Sequence, residues 1–354
     1  MKSKQNPQIR NFILEMVADH PESVTQRACK KFDLSRTAIN NYMRRLIDEG
    51  LITAEGNTKA RRYKLKPLVE EVFSIEISPG LLEDVVWRFR ILPKMTGVPD
   101  NILNICQYGF TEMLNNVIDH SESPDATIRF QKTVQDISIM IMDSGVGIFA
   151  KIQKDFKLDD PRAALLELSK GKLTSNPLAH SGEGIFFTSR MFEKFSILSG
   201  NLFYRRTKQD DSEWFIETED REDFTPGTTV SMHIPLKADW TTASVFEEYA
   251  GTEVGFRKTH VPLKLGRYAG EQLVSRSQAK RVLARFENFS EVLLDFQGVN
   301  QIGQPFADEI FRVFRIAHPD VNVIAIRAND NIRKMIAYVE SSPPPKSPPA
   351  NVKS

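Results

Sequence analysis

Cysteine is scarce in this chain of 354 residues. Cys29 and Cys106 are the only two, far apart and in no metal-ligand spacing. That excludes a disulfide framework and leads us to expect a reducing, cytoplasmic setting. No apolar run approaches the roughly 18 residues needed to span a bilayer. Glu15 and Asp19 interrupt the apolar stretch nearest the N-terminus, so no signal-peptide core is expected. Neither HExxH nor CxxC occurs, which removes the common zinc-enzyme readings. No internal repeat is visible. A charge excess of one sign is also missing: the net charge is +1, so a surface uniformly coated for nucleic acid is not expected.

The charge is nevertheless unevenly placed. Residues 1–66 carry 14 basic and 7 acidic side chains, and the other 288 residues carry 33 and 39. A basic module attached to a slightly acidic body follows. Pro67 punctuates the join, and SSPPPKSPPANVKS at 341–354 is too rich in proline and serine to bury a core. The expected organisation is a multidomain α+β chain: a module over 1–67, a block over 68–237, a connector over 238–254, a second block over 255–340 and a disordered tail over 341–354.

In the basic module, Ile9, Phe12, Ile13, Met16 and Val17 recur with a helical period over 7–19, and Val24–Phe32 predicts a second short helix. Ser35 is a good N-cap for a third helix, Arg36–Glu49, which buries Ile39, Tyr42, Met43, Leu46 and Ile47 and stops at Gly50. LITAEGNTKARRYKL then predicts a hairpin around Gly56 and Asn57. This order, and the run LSRTAINNYMRRLIDEGLI, resemble the winged helix-turn-helix family. The resemblance implies binding of double-stranded DNA, with the third helix in the major groove. Arg36, Thr37, Asn40, Asn41 and Arg44 would meet bases or phosphates, and Lys59, Arg61 and Arg62 of the wing would meet phosphates.

The block over 68–237 carries four pieces in series. NILNICQYGFTEMLNNVIDHS, after Asp100, predicts a helix with Ile102, Cys106, Phe110, Met113, Leu114 and Val117 as its core stripe; Glu112, Asn116 and Asp119 share another face. ISIMIMDSGVG predicts a strand running into a glycine turn, SGEGIFFTSRMF a glycine turn opening a helix over Ile185–Phe195, and PGTTVSMHIP a strand entered at Gly227 and Thr228. Together they resemble the GHKL superfamily of ATPases and kinases, which implies an α/β sandwich binding ATP and Mg2+. The resemblance makes Asn116 the magnesium ligand, and Glu112 the group that polarises a water for attack on the γ-phosphate. Asn115 and Asp119 become pocket neighbours, Asp143 the acceptor for the adenine amino group, and Thr228 the hydroxyl closing the adenine pocket. Gly145 and Gly147 let backbone approach the nucleotide, while Gly182 and Gly184 open a helix N-terminus suited to anions. Glu183 between them would repel phosphate unless it points away or meets the metal. Residues 148–181 would form the lid, with Lys151, Lys154, Lys170, Lys172 and His180 in it and Lys172 the choice for the γ-phosphate.

In the last block, strands alternate with helices: VPLKL, a helical GEQLVSRSQAKRVLARFENF, EVLLDF, FADEIFRVF, VNVIAI and NIRKMIAYV. LLDFQGVNQIGQPFADEIF resembles STAS-like domains, and the order of SRSQAKR, LDF and IGQPFADEIF resembles a STAS-like domain found behind GHKL modules in uncharacterised bacterial proteins. Anti-sigma antagonists of that fold carry a phosphorylatable serine in the loop before the helix, where this chain has Gln304. Docking of a protein partner, or intramolecular regulation, is what the resemblance leaves. A homodimer is a further expectation. The reading that follows is an ATP-binding, slowly hydrolysing transcriptional regulator; the alternative is a serine/threonine kinase of the anti-sigma type acting on a separate partner. A two-component histidine kinase is set aside. None of His20, His120, His180, His233, His260 or His318 is followed by the acid and proline of a phosphoacceptor helix.

Overall fold

The computed structural model describes residues 6–56, 61–173, 182–209, 212–217, 226–250, 256–266 and 272–341. Packing divides the chain into two compact units. The first holds Met1–Lys151, Phe187–Ser212 and Ile216–Thr242; the second holds Ile152–Phe186, Glu213–Phe215 and Ala243–Ser354. Residues 152–186, which the sequence groups with the 68–237 block, are therefore assembled with the second unit. Among the described residues no helix is long and apolar enough to cross a membrane.

The first unit begins with three helices and a hairpin: α1 (Pro7–Asp19), α2 (Val24–Phe32), α3 (Arg36–Asp48), β1 (Ile52–Glu55) and β2 (Arg62–Leu65). Asn6 caps α1 by accepting from the Gln8 N–H, with Pro7 supplying the fixed φ of the first turn. Ser35 caps α3 by accepting from Ala38 N–H at 3.2 Å, and Gly50 takes the left-handed conformation, φ +72°, after the last turn. Ile9, Ile13, Leu14, Val17, Val24, Ala28, Ile39, Met43, Leu46, Ile52 and Tyr63 make the core; Phe12, Met16, Tyr42 and Ile47 are only partly buried against it.

A seven-stranded sheet follows, in the order β3-β4-β5-β9-β6-β7-β8. Its strands are β3 (Val69–Glu76), β4 (Asp125–Lys132), β5 (Asp136–Asp143), β6 (Lys194–Ser199), β7 (Leu202–Thr207), β8 (Ser212–Glu217) and β9 (Thr228–Pro235). Strands β3, β4, β5, β9, β6 and β7 pair antiparallel in that order. One residue in two points inward, as the strand period requires: Ala126, Ile128 and Phe130, then Ile137, Ile139 and Ile141, then Val230, Met232 and Ile234. The short α4 (Glu83–Val86), prolonged by a π turn and a 3-10 turn to Lys94, leads to α5 (Asp100–His120). Helix α5 packs against β5 and β9. It approaches so closely that a Cβ on Gly109 would lie 2.3 Å from the Phe192 ring.

Helix α8 (Gly184–Met191) stops four residues before the predicted Phe195. From Lys194 the pattern changes to period 2, Phe195 and Ile197 in and Ser196 out, and β6 takes over.

The second unit contains α6's end (the helix spans Ile148–Phe156), α7 (Pro161–Lys170), α9 (Thr242–Tyr249), β10 (Lys258–Pro262), α10 (Arg276–Leu283), β11 (Glu291–Asp295), α11 (Gln304–Asp308), a π turn leading into α12 (Arg315–Ala317), β12 (Asn322–Ile326) and α13 (Asp330–Glu340). Strands β10, β11 and β12 are parallel and in that order; β10 is buried almost throughout, as a strand between helical layers is, β11 at Val292, Leu294 and Asp295, and β12 at Val323 alone. The predicted strand VPLKL ends at Pro262, and Leu263–Gly266 forms a 3-10 turn instead. Among the described residues of the predicted long helix, Arg276–Leu283 is helical and Phe286–Asn288 forms a 3-10 turn, because a Ser275/Gln278 capping box starts the helix and Ala284 and left-handed Arg285 end it. Within the stretch expected as a connector, 238–254, α9 buries Val245 and Tyr249. Gln304 is the first residue of α11 rather than a loop residue, with Gly303 as its N-cap. A Cβ on Gly303 would lie 2.7 Å from Val274 Cα.

Candidate functional site

In the first unit, the residues just after α5, the exit of β5 and the entrance of β9 are tied into one cluster. Glu112, Asn115 and Asn116 are half-buried on α5, whereas Asp119 is exposed. Asn116 Nδ2 is a buried donor with no hydrogen-bond partner. Such a group costs free energy unless a ligand or water satisfies it.

Asp143 ends β5. Its Oδ1 accepts the Gly145 N–H at 2.9 Å and the Thr228 N–H at 3.3 Å, and Oδ2 is left for an outside donor. Burial pushes this carboxyl above the ordinary range, and the two amides offset that only in part. Thr228 Oγ1 accepts the Ile148 N–H at 3.0 Å and faces Ser199 Oγ at 3.5 Å, which donates to Gly227 O at 2.9 Å. The glycines are steric requirements. A Cβ on Gly145 would lie 1.9 Å from Ser121 O, and one on Gly227 would lie 2.0 Å from Asp143 O. Gly147 has φ +81° and would bring its Cβ to 2.8 Å from Ser199 Oγ.

Serines that the sequence reading passed over do much of the positioning. Ser121 O accepts the Val146 N–H at 2.8 Å. Ser121 Oγ donates to Val117 O and accepts from Ser123 N–H. Ser123 Oγ in turn accepts from the Ser144 N–H at 3.1 Å. The end of α5 is thereby fixed to the glycine turn. The signal available was SESPD directly after the helix, a run of short side chains able to bond backbone. Cys106, fully buried in the α5 core, has its thiol pushed up by burial and is chemically quiet.

The polar groups present are of the kinds a nucleotide would need. The buried Asn116 Nδ2, one helical turn from Glu112, is a donor suited to an acceptor such as a phosphate oxygen, and only the Asn116 carbonyl oxygen could meet a cation; a carboxylate oxygen of Asp143 stands open beside the glycine turn. Among the described residues no three His, Cys, Asp or Glu groups converge to hold a metal unaided, so a divalent ion here would draw most of its ligands from phosphate and water.

Lys172, Gly182 and Gly184 belong to the second unit. Lys172 Nζ donates to Asn288 O at 2.8 Å and lies 5.0 Å from the Phe289 ring centre. Desolvation lowers its pKa, with nearby Glu183 opposing. Glu183 is half-buried and raised by burial. Gly182 takes φ +69°, and Gly184 is the first residue of α8. His180 and Lys59 lie outside the described residues.

On α3, Arg36, Thr37, Asn40, Asn41 and Arg44 are all exposed along one face. Arg61 and Arg62 are exposed on the hairpin, where Arg62 pairs with Glu22 at 2.7 Å. A further feature that motif reading did not find is a trough of about 340 Å³ on the sheet, lined in part by Arg129, Lys194, Arg205 and His233.

Residues 278–333, within the second unit, match a STAS-like domain of unknown function (DUF4325). Among curated proteins none matches the sequence. The chain is thus of mixed α+β architecture and carries a STAS-like part at its C-terminal end.

Proposed function

We propose that the protein is an ATP-binding regulator of GHKL type whose nucleotide state is coupled to DNA binding through an N-terminal winged helix. The observation that carries the nucleotide half is the arrangement at Asp143, whose Oδ1 is held by the Gly145 and Thr228 N–H groups while Oδ2 is left for an outside donor, beside glycines that have no room for a Cβ.

In this reading Asp143 Oδ2 accepts the adenine amino group and selects adenine over guanine, while Thr228 and Ser199 hold the floor of the base pocket. The Gly145–Gly147 backbone lies against the nucleotide, where a methyl group has no room. Asn116 would hold the magnesium ion, which when bound offsets phosphate charge. Glu112, one turn earlier on α5, orients water and takes its proton, which supports slow hydrolysis. The DNA half is supported by the exposed polar and basic face of α3, by Arg61 and Arg62, and by the basic excess of residues 1–66. A ligand shifts such a regulator only by its differential affinity for two states, so ATP must bind one DNA-binding state more tightly than the other.

Calorimetry of the whole protein with ATP, in magnesium and then in EDTA, tests the first half. Heat that depends on magnesium is expected, and no heat in either buffer removes the reading. Footprinting on DNA upstream of the gene, with and without ATP, tests the second. Transfer of the γ-phosphate to a co-encoded protein, in place of free phosphate release, would make the same site a kinase.

A further inference from the structure

The described residues 152–173 of the segment between the two glycine turns, which the nucleotide reading needs as a cover for phosphates, are built into the STAS-like unit. Helix α7 buries Ala164, Leu165, Leu166 and Leu168 and packs on β10 and the 3-10 turn after it. At its end Lys170 is wholly buried. Its Nζ donates to Glu167 Oε1 at 2.5 Å and to Ala284 O at 2.8 Å, and its carbonyl accepts from Thr259 Oγ1 at 2.7 Å. Arg285, held in the left-handed conformation at φ +67°, reaches back from the other side. It donates to Glu167 Oε2 at 2.9 Å, to Gly171 O at 2.7 Å and to Lys172 O. Lys172 is itself committed to Asn288 O. Gly171 completes the joint: a Cβ there would lie 2.7 Å from the Phe256 ring and 2.9 Å from Phe186.

Two consequences follow from these contacts. The cations at positions 170 and 172 are occupied by carbonyls and a carboxylate, so in this arrangement neither is offered to phosphate. A buried lysine that loses its partners is strongly disfavoured, so partial release is not an available compromise. The joint is either made or broken, which is what a two-state switch requires.

We infer that α7 and residues 170–172 form a latch by which the STAS-like unit withholds the phosphate cover, so that ATP binding and latching compete. This rests on the nucleotide reading above. Because coupling is reciprocal, ATP loosens the joint and whatever strengthens the joint weakens ATP.

The test uses the full chain, ATP with magnesium, and two variants. Arg285→Gly removes the reaching side chain while relaxing the left-handed backbone, and Thr259→Val removes one bond without changing shape. Both should bind ATP more tightly than the unaltered protein, Arg285→Gly by about fivefold or more. Hydrogen exchange of α7 amides should be slow in the unaltered protein, faster once ATP is added, and already fast in Arg285→Gly without it. A purely structural joint would not respond to nucleotide. ATP bound equally by all three proteins, with α7 exchange unmoved by ATP, overturns the latch and leaves the nucleotide site standing. Absence of ATP binding in all three overturns the nucleotide reading, and the latch as a nucleotide switch with it.

Discussion

Replacing Asp143 by Asn separates recognition from stability. The amide oxygen can still accept from Gly145 and Thr228, so the glycine turn is kept. The second oxygen becomes an NH2 group, which meets the adenine amino group donor to donor. Losing a hydrogen bond to a charged acceptor costs about 1.5–3 kcal/mol, or roughly ten- to 150-fold in ATP affinity. The new NH2 can donate to a guanine carbonyl, so GTP should gain on ATP. Stability should move the other way. Burial raises the Asp143 carboxyl above its ordinary value. The folded unit then holds that proton more tightly than the unfolded chain does, and stability falls as pH rises through the raised value. At neutral pH the ionised group burdens the fold, and Asn removes the burden. Melting temperature without nucleotide should therefore be no lower in the variant. Calorimetry with ATP and GTP, paired with thermal melts, reads both. An unchanged ATP-to-GTP ratio would refute the assignment of Asp143 to the base.

Glu112→Ala should leave ATP affinity within about twofold while phosphate release drops at least about a hundredfold; equal turnover removes its proposed role. Arg44→Ala should weaken DNA binding across sequences and lower the salt slope by about 1 if it meets phosphate, as filter binding at several salt concentrations would register. In the second unit, burial pushes Asp295 up, but bonds from His260, Arg327 and the Gln297 N–H outweigh it and hold the carboxyl at about 2. The stability this gives is present above the ordinary carboxylate range and lost as pH falls towards 2, amounting to about 2 kcal/mol at neutral pH. Denaturant melts of Asp295→Asn at pH 7 should show that loss, with the difference from the unaltered protein shrinking below pH 3.

Local features were the legible ones. The Ser35 cap, the Gly50 stop and the α5 core stripe each follow from a few neighbouring residues, and the structure has them where the sequence puts them. Gly145 and Gly147 were legible as places of close backbone approach, expected to a nucleotide, and Gly227 only as a strand entrance; that Ser121, Ser199 and Asp143 crowd these three glycines depends on distant parts of the chain. What stayed hidden was non-local. DPRAALLELSK reads as an amphipathic helix wherever it docks, and its docking against β10 is decided by partners almost ninety residues further along. Arg285 looks like one more surface cation until its left-handed backbone aims it inward. The premature end of α8 was missed because Phe192 and Phe195 suit a helix face as well as a strand.

The interleaving of the two units also governs how the chain is born. At ordinary ribosomal speeds of about 5–20 residues per second, helix α7 emerges roughly 4–18 s before strand β10. Its leucines wait in solvent for all of that interval, and the buried site for Lys170 does not yet exist. A nascent chain of this design should engage chaperones midway through synthesis, and a truncation that retains α7 while removing β10 should aggregate.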